Sequence, residues 1–223
     1  MITDGQPTRT EARPAGEAIA TVPTRDRLLD AALSLFAERG FQGTTVGDIE
    51  AAAGLTPRSG GLYKHFSSKE EVLHAAVERH GRDLGQLEQM VGLLPLGDLR
   101  AELTLLIRLS LQELAREREL IRIVFREGDR FPELRDAMRE RVVARGHRSA
   151  AAWVRWKVET GELPECDPDA VAAVALGAVV NYRIEEIFFG QSAGDIDEER
   201  LVTTLVDLCL AFAGLADGEG DDS

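Results

Sequence analysis

TTVGDIEAAAG at residues 44–54, followed by GLYKHFSSKEEVL at residues 61–73, decides the fold of this chain. Thr44 or Thr45 caps a short helix, because a threonine hydroxyl accepts from an otherwise orphaned backbone N–H. Val46, Ile49 and Ala53 form its apolar stripe and Gly54 ends it. Thr56-Pro57 then opens another helix, with threonine as cap and proline at the first helical position, where a missing N–H costs nothing. This predicts a helix over Pro57 to Phe66, with Leu62 and Phe66, four apart, facing inward. Upstream, Thr24 is placed as N-cap, Asp26 lies in the first turn, Leu28, Ala32, Leu35 and Phe36 recur at helical spacing, and Gly40 stops the helix before Phe41 packs its exit. Three short helices so close together make one compact unit.

Two helices joined by a tight turn, the second opening on polar and basic groups, fit a helix-turn-helix that enters the major groove by the start of its second helix. Outward it offers Arg58, Ser59, Tyr63, Lys64 and His65, with Lys69 just beyond. Arginine reads guanine O6 and N7 in bidentate fashion, serine donates and accepts, and tyrosine, lysine and histidine suit phosphate oxygens. Thr45 adds a hydroxyl and a backbone N–H for another phosphate. Gly60 and Gly61 inside a helix cost roughly 1 kcal/mol each relative to alanine. Either the backbone approaches DNA closely at Gly61, or the turn extends and the helix begins at Ser59.

From Thr24 to Lys69 these residues resemble the DNA-binding domain of the tetracycline-repressor (TetR) family. That family's pattern is TT-x-x-x-I-A-x-x-A-G, then L-Y-x-H-F, then S-K-E-x-L; Thr44, Thr45, Ile49, Ala53, Gly54, Leu62, Tyr63, His65, Phe66, Lys69 and Glu70 fall in order. The resemblance implies phosphate contacts at Tyr63, His65 and Lys69, a backbone anchor at Thr45, and, by a looser transfer, base-facing positions at Arg58, Ser59 and Gly61. Two departures stand out. Glu50 replaces the pattern's alanine, and the segment from Gly54 to Leu62 is about two residues longer than usual, which shifts the base-reading positions.

A net charge of −13 argues at first against nucleic acid, since duplex binding depends on neutralising phosphates. Its distribution reverses the argument: residues 159–223 carry −14, residues 81–158 carry +3, and Thr56 to Lys69 holds Arg58, Lys64, His65 and Lys69 with no carboxylate. Residues 1–23 lack an apolar period and read as a disordered arm whose Arg9 and Arg13 are either solvated or DNA-facing. Residues 216–223 read as an acidic disordered tail. The longest uncharged apolar run, Ala170 to Val180, is too short for a membrane span, and no basic-then-apolar leader opens the chain, so a cytoplasmic protein without membrane contact is expected. Cys166 and Cys209 form no CxxC and have no histidine at ligand spacing, so neither disulfide nor metal is expected. No phosphate loop, HExxH, DxDxDG or nucleophile motif occurs, which leaves no catalytic residues and no cofactor to assign. His65 is assigned to DNA; His74, His80 and His147 are assigned to the surface.

Ser67 or Ser68 caps the next helix, whose period continues from Val72 toward Leu84 and Leu87, with a break at Pro95 and Gly97. Helical periods follow at Asp98 to Ala115, Glu117 to Glu127, Pro132 to Thr160, Asp167 to Phe189 and Asp197 to Leu215, with no strand pattern and no repeat. The expected architecture is all-α: a three-helix DNA-binding domain over 24–70, then a larger helical effector-binding and dimerisation domain over 71–215. The last long helix is apolar on more than one face, and the one before it carries Ala172, Ala173, Ala175, Gly177 and Ala178, which permit close approach. A homodimer through about 168–189 and 197–214 follows, as a four-helix interface on a two-fold axis. For a small-molecule effector of unread chemistry, Phe125, Trp153, Trp156 and Tyr182 are candidate contacts, with Phe131, Met138, Asn181 and Arg183 beside them. The expected function is a repressor on double-stranded DNA with a palindromic operator, released by an effector; the competing readings are an activator of the same fold and a helical adaptor without DNA binding.

Overall fold

The computed structural model describes residues 22–80, 94 and 96–214. The N-terminal arm, Leu84, Leu87, Pro95 and the acidic tail lie outside the described residues. The described part is helical without strands: α1 Thr24–Arg39, α2 Val46–Ala52, a 3₁₀ turn Leu62–Lys64, α3 Lys69–His80, α4 Leu99–Arg116, α5 Arg118–Glu127, α6 Pro132–Met138, α7 Arg145–Glu159, α8 Pro168–Phe189, a second 3₁₀ turn Ala193–Asp195 and α9 Glu198–Phe212. No helix among them is long and apolar enough to cross a membrane.

The helix ends follow their capping chemistry. Asp98, Asp167 and Asp197 accept from N–H groups in the first turns of α4, α8 and α9. Thr45 and Asp48 form a reciprocal capping box on α2, and Ser68 Oγ accepts from Glu71 N at the start of α3. Gly40 leaves α1 at φ +77°, a conformation that side-chained residues rarely adopt. Pro23, rather than Thr24, occupies the N-cap of α1, and Thr24 becomes its first helical residue, accepting from Arg27 at 3.2 Å.

Pro57 to Phe66 is not the continuous helix expected. Arg58 and Gly60 both take positive φ, +61° and +74°, which breaks helical geometry twice before Leu62. What remains is an extended turn closed by one 3₁₀ turn. The longer connection noted in the sequence is accommodated here.

Two apolar cores organise the chain. The first gathers Leu28, Leu29, Ala32 and Phe36 of α1 with Ile49, Leu62, Phe66, Val72 and Leu73, and takes in Leu120 and Ile123 of α5 together with Phe131 and Leu134. The second joins α4, α7, α8 and α9 through Leu103, Ile107, Leu111, Val154, Val179, Val202 and Val206. Helix α5 touches both sides. Between α6 and α7 the period Pro132 to Thr160 stays unbroken, but residues Arg139–Ala144 are wound as a π-helix.

Within the second core, Lys157 and Glu102 are completely buried. Lys157 Nζ lies 2.9 Å from Glu102 and 2.7 Å from Glu162, under the Trp156 ring at 4.5 Å. Burial opposes both charges, yet the mutual hydrogen bonds prevail: the Glu102 carboxyl is held below its usual range and the Lys157 ammonium above it.

Candidate nucleic-acid interface

Thr44 is fully buried and its hydroxyl donates to Gly40 O at 2.9 Å and Leu35 O at 3.2 Å, fastening the α1–α2 turn. Thr45, next to it, is exposed. Its hydroxyl and its N–H both donate to Asp48, at 2.6 and 2.8 Å, and these bonds pull the Asp48 carboxyl below its usual range. The hydroxyl expected to meet phosphate is therefore partly occupied by the capping box.

Arg58, Ser59, Tyr63, Lys64 and His65 are all exposed on one turn. Tyr63, a large aromatic, keeps 59% of its surface accessible, which the core alone would not select. The Arg58 stem crosses the start of α2, its Cγ 3.4 Å from where a Cβ on Gly47 would stand. Arg58 and Thr45 therefore share one surface. Gly61 faces inward: a Cβ there would meet Leu55 at 3.1 Å and the Glu50 carboxylate at 3.5 Å. Its missing side chain serves packing beneath the turn.

Two residues position this surface in ways the sequence pattern did not reveal. Glu50, fully buried, accepts from Leu62 N at 3.0 Å with Oε1 while Oε2 finds no partner. A charge-assisted bond of this kind contributes roughly 1.5–3 kcal/mol, and it anchors the 3₁₀ turn from below. The signal was present in the departure of Glu50 from the family alanine, beside a lengthened turn that needs an added acceptor. Lys69, expected to face phosphate, turns inward instead. Its ammonium donates to Phe41 O at 2.7 Å and Thr44 O at 2.8 Å and lies 4.1 Å from the Phe41 ring centroid, and burial lowers its pKa. It ties the start of α3 to the α1–α2 turn.

The head is joined to the rest through α5. Glu127 Oε1 accepts from Phe41 N at 2.8 Å, and Arg126 donates to Glu38 O at 2.9 Å at the end of α1. On the same helix, Ile121 and Phe125 line a cavity of about 540 Å³, together with Met138 and Arg183. Trp153 lines a smaller neighbouring cavity of about 130 Å³. Trp156 and Tyr182 line neither: Trp156 covers Lys157, and Tyr182 is buried in the second core. Phe131 belongs to the first core, against Phe41 and His74, and Asn181 bonds Glu185.

A helical head with an exposed basic turn, set on a larger helical body that contains a cavity, defines a helix-turn-helix regulator fold. Residues 28–76 match the model for bacterial regulatory proteins of the tetR family, and residues 103–212 match that of the AefR-like transcriptional repressor C-terminal domain. Among curated relatives, the HTH-type transcriptional repressor KstR2 of Rhodococcus jostii is 42% identical over 100 residues, 44% of this chain and 46% of that protein. YvkB of Bacillus subtilis, an HTH-type transcriptional regulator, is 28% identical over 112 residues, 50% of this chain and 56% of that protein. The matched stretch thus spans about half the length of these relatives. A transcriptional regulator from Saccharomonospora viridis, solved in complex with choline, superposes with a TM-score of 0.68 at 22% identity, over 82% of this chain and 94% of that one. The chain belongs to the TetR family.

Proposed function

We propose that this chain is a DNA-binding transcriptional repressor that grips a palindromic operator as a homodimer and is released by a small-molecule effector. The observation that carries DNA binding is the exposed turn Arg58, Ser59, Tyr63, Lys64 and His65, free of carboxylates and braced from beneath by Glu50 and Lys69. The head extends over residues 24–70, and 71–215 supplies dimerisation and effector binding. A homodimer is supported by an unpartnered apolar seam: Val174, Gly177 and Phe188 on α8 are exposed, as are Leu208 and Phe212 on α9. Its two-fold axis would set the spacing of two recognition turns on one face of the duplex.

Release follows from linkage. A ligand that prefers the dimer shape with mis-spaced heads weakens operator binding by its differential affinity. Helix α5 offers the lever, because Ile121 and Phe125 meet the cavity while Arg126 and Glu127 hold the end of α1.

Selection from a random duplex library with the purified protein tests the reading. Recovery of a palindrome is expected, with affinity falling steeply as salt rises. Lys64→Ala removes one cation from the phosphate-facing turn of each head, and every phosphate left without its cation should make the salt slope shallower by about 0.9. No enriched sequence, or an affinity indifferent to Tyr63→Ala and Lys64→Ala, would overturn DNA binding and leave a helical adaptor.

A further inference from the structure

The two cavities share Ser110, Gly146, Ser149 and Leu176 in their walls, so they adjoin as a smaller and a larger lobe with these residues at the neck where they meet. Both are walled almost wholly by apolar surface, but the charged side chains in the walls belong to the larger one. Around the smaller lobe stand Leu103, Ile107, Leu163, Val179 and Phe212. Trp153 also lines it, but its indole N–H is directed to Glu102 at 3.3 Å and offers nothing to an occupant. The wall of the larger lobe carries Arg141, Arg145, His147 and Arg183 with one carboxylate, Glu113, and Asp169 faces His147 at 3.8 Å from outside that wall. Arg183 bonds Glu186 and Glu198 through its two terminal nitrogens, while its Nε is buried without an acceptor. Gly146 has open space where a Cβ would stand. The neck thus sets three small residues, Ser110, Gly146 and Ser149, beside Leu176 and admits a slim chain more readily than a ring system.

We infer that the effector is a single-tailed amphiphile with an anionic head, its head among the arginines of the larger lobe and its unbranched hydrocarbon tail through the neck into the smaller one. This rests on the effector site proposed above and names the ligand class for it. The combined space falls within the range of small-molecule sites, and its apolar walls with a few convergent charges suit a ligand held by tail burial and oriented by its head. Arginine is the side chain best matched to a carboxylate, through paired N–H donors.

The test is calorimetric titration of the full chain with three probes of equal tail length: dodecanoate and dodecyltrimethylammonium below their micelle concentrations, and dodecan-1-ol below its solubility limit. Dodecanoate should bind at least tenfold more tightly than the alcohol, and the cation should not bind. Arg141→Gln and Arg183→Gln should narrow the gap between acid and alcohol; because Arg183 has structural partners, thermal melting checks its fold, and Arg141, exposed, provides the independent variant. Gly146→Leu should abolish hexadecanoate binding while keeping octanoate. Cation binding equal to that of the acid, or no binding by any probe, overturns the ligand class; tail-length preference unchanged in Gly146→Leu overturns the threaded pose. Operator affinity is measured on the same samples with and without ligand. Intact operator binding with no probe bound defeats this inference alone, whereas dodecanoate bound without effect on operator affinity supports the ligand class and defeats the release step.

Discussion

The head half-buries one lysine and the body fully buries another, and they accommodate it in opposite ways. Lys69, in the head, gives its ammonium to the neutral carbonyls of Phe41 and Thr44. Lys157, in the body, sits between the carboxylates of Glu102 and Glu162. The head needs a staple between turns, and backbone carbonyls are fixed by the turns themselves. The body needs two helices, α4 and α7, and the connection after α7 locked at one point, and opposite charges in an apolar core allow few other arrangements. A lysine drawn in from solvent thus marks a joint in both regions, but only in the body does the joint depend on a second ionised group.

Separating the partners of Lys157 is the harshest way to break that comparison. Lys157→Met strands the Glu102 carboxylate and should cost about 3–5 kcal/mol in urea unfolding, whereas Lys157→Met with Glu102→Gln should recover most of it. Recovery of nothing would mean that packing, not charge, holds the body together. Lys69→Met leaves two neutral carbonyls to find water, so a smaller loss of about 1.5–3 kcal/mol is expected, with operator affinity reduced only through the head's disorder. Tyr63→Ala should do the reverse, weakening operator binding while leaving the melting temperature unchanged. Glu50→Ala orphans the Leu62 N–H and should cost about 1–3 kcal/mol, and Glu50→Gln, which keeps an acceptor oxygen, less.

The gentlest probe is pH. Glu102 is lowered below its ordinary value, so its contribution is full above the usual carboxylate range and disappears as pH falls through its folded value. Lys157 is raised, so its contribution holds below the ordinary lysine value and disappears as pH climbs through its raised one. Lys69 is lowered, which gives it the opposite sign: the unfolded chain keeps that proton longer, and stability from this residue rises with pH in the alkaline range. Comparing unfolding of Lys157→Met and Lys69→Met with the parent chain across that range checks the two signs separately.

Most of the helical framework was legible, because Asp98, Asp167, Asp197, Pro132 and Gly190 announce helix ends by local chemistry and the periods between them are long. The recognition segment was not. Its proline, two glycines and Arg58 in a left-handed conformation fit a turn as well as a helix start, and only the tertiary anchor from Glu50 decides between them. Arg58, Ser59, Tyr63, Lys64 and His65 were legible as an exposed set, since neither apolar period nor carboxylate claims them. The role of Lys69 was hidden because a lysine at a helix start is usually solvated, and its two acceptors lie 25 and 28 residues away. Nor did periodicity tell Phe125 and Trp153, which face the cavities, from Trp156 and Tyr182, which do not. Side chains lining a void and side chains filling a core recur at the same helical spacing.

The π-wound stretch Arg139–Ala144 has a bearing on how this molecule tolerates change. Such a turn stores one extra residue without ending the helix. On one side, Leu134 is committed to the first core; on the other, Trp153 and Val154 are committed to the second. The stored residue sets the angular phase between those commitments, about 100° of helix rotation for each residue inserted or removed. A single-codon deletion there would therefore act as a torsion between head and body, not as a shortening, and it would register first in the cavity wall at Val142 and Val143.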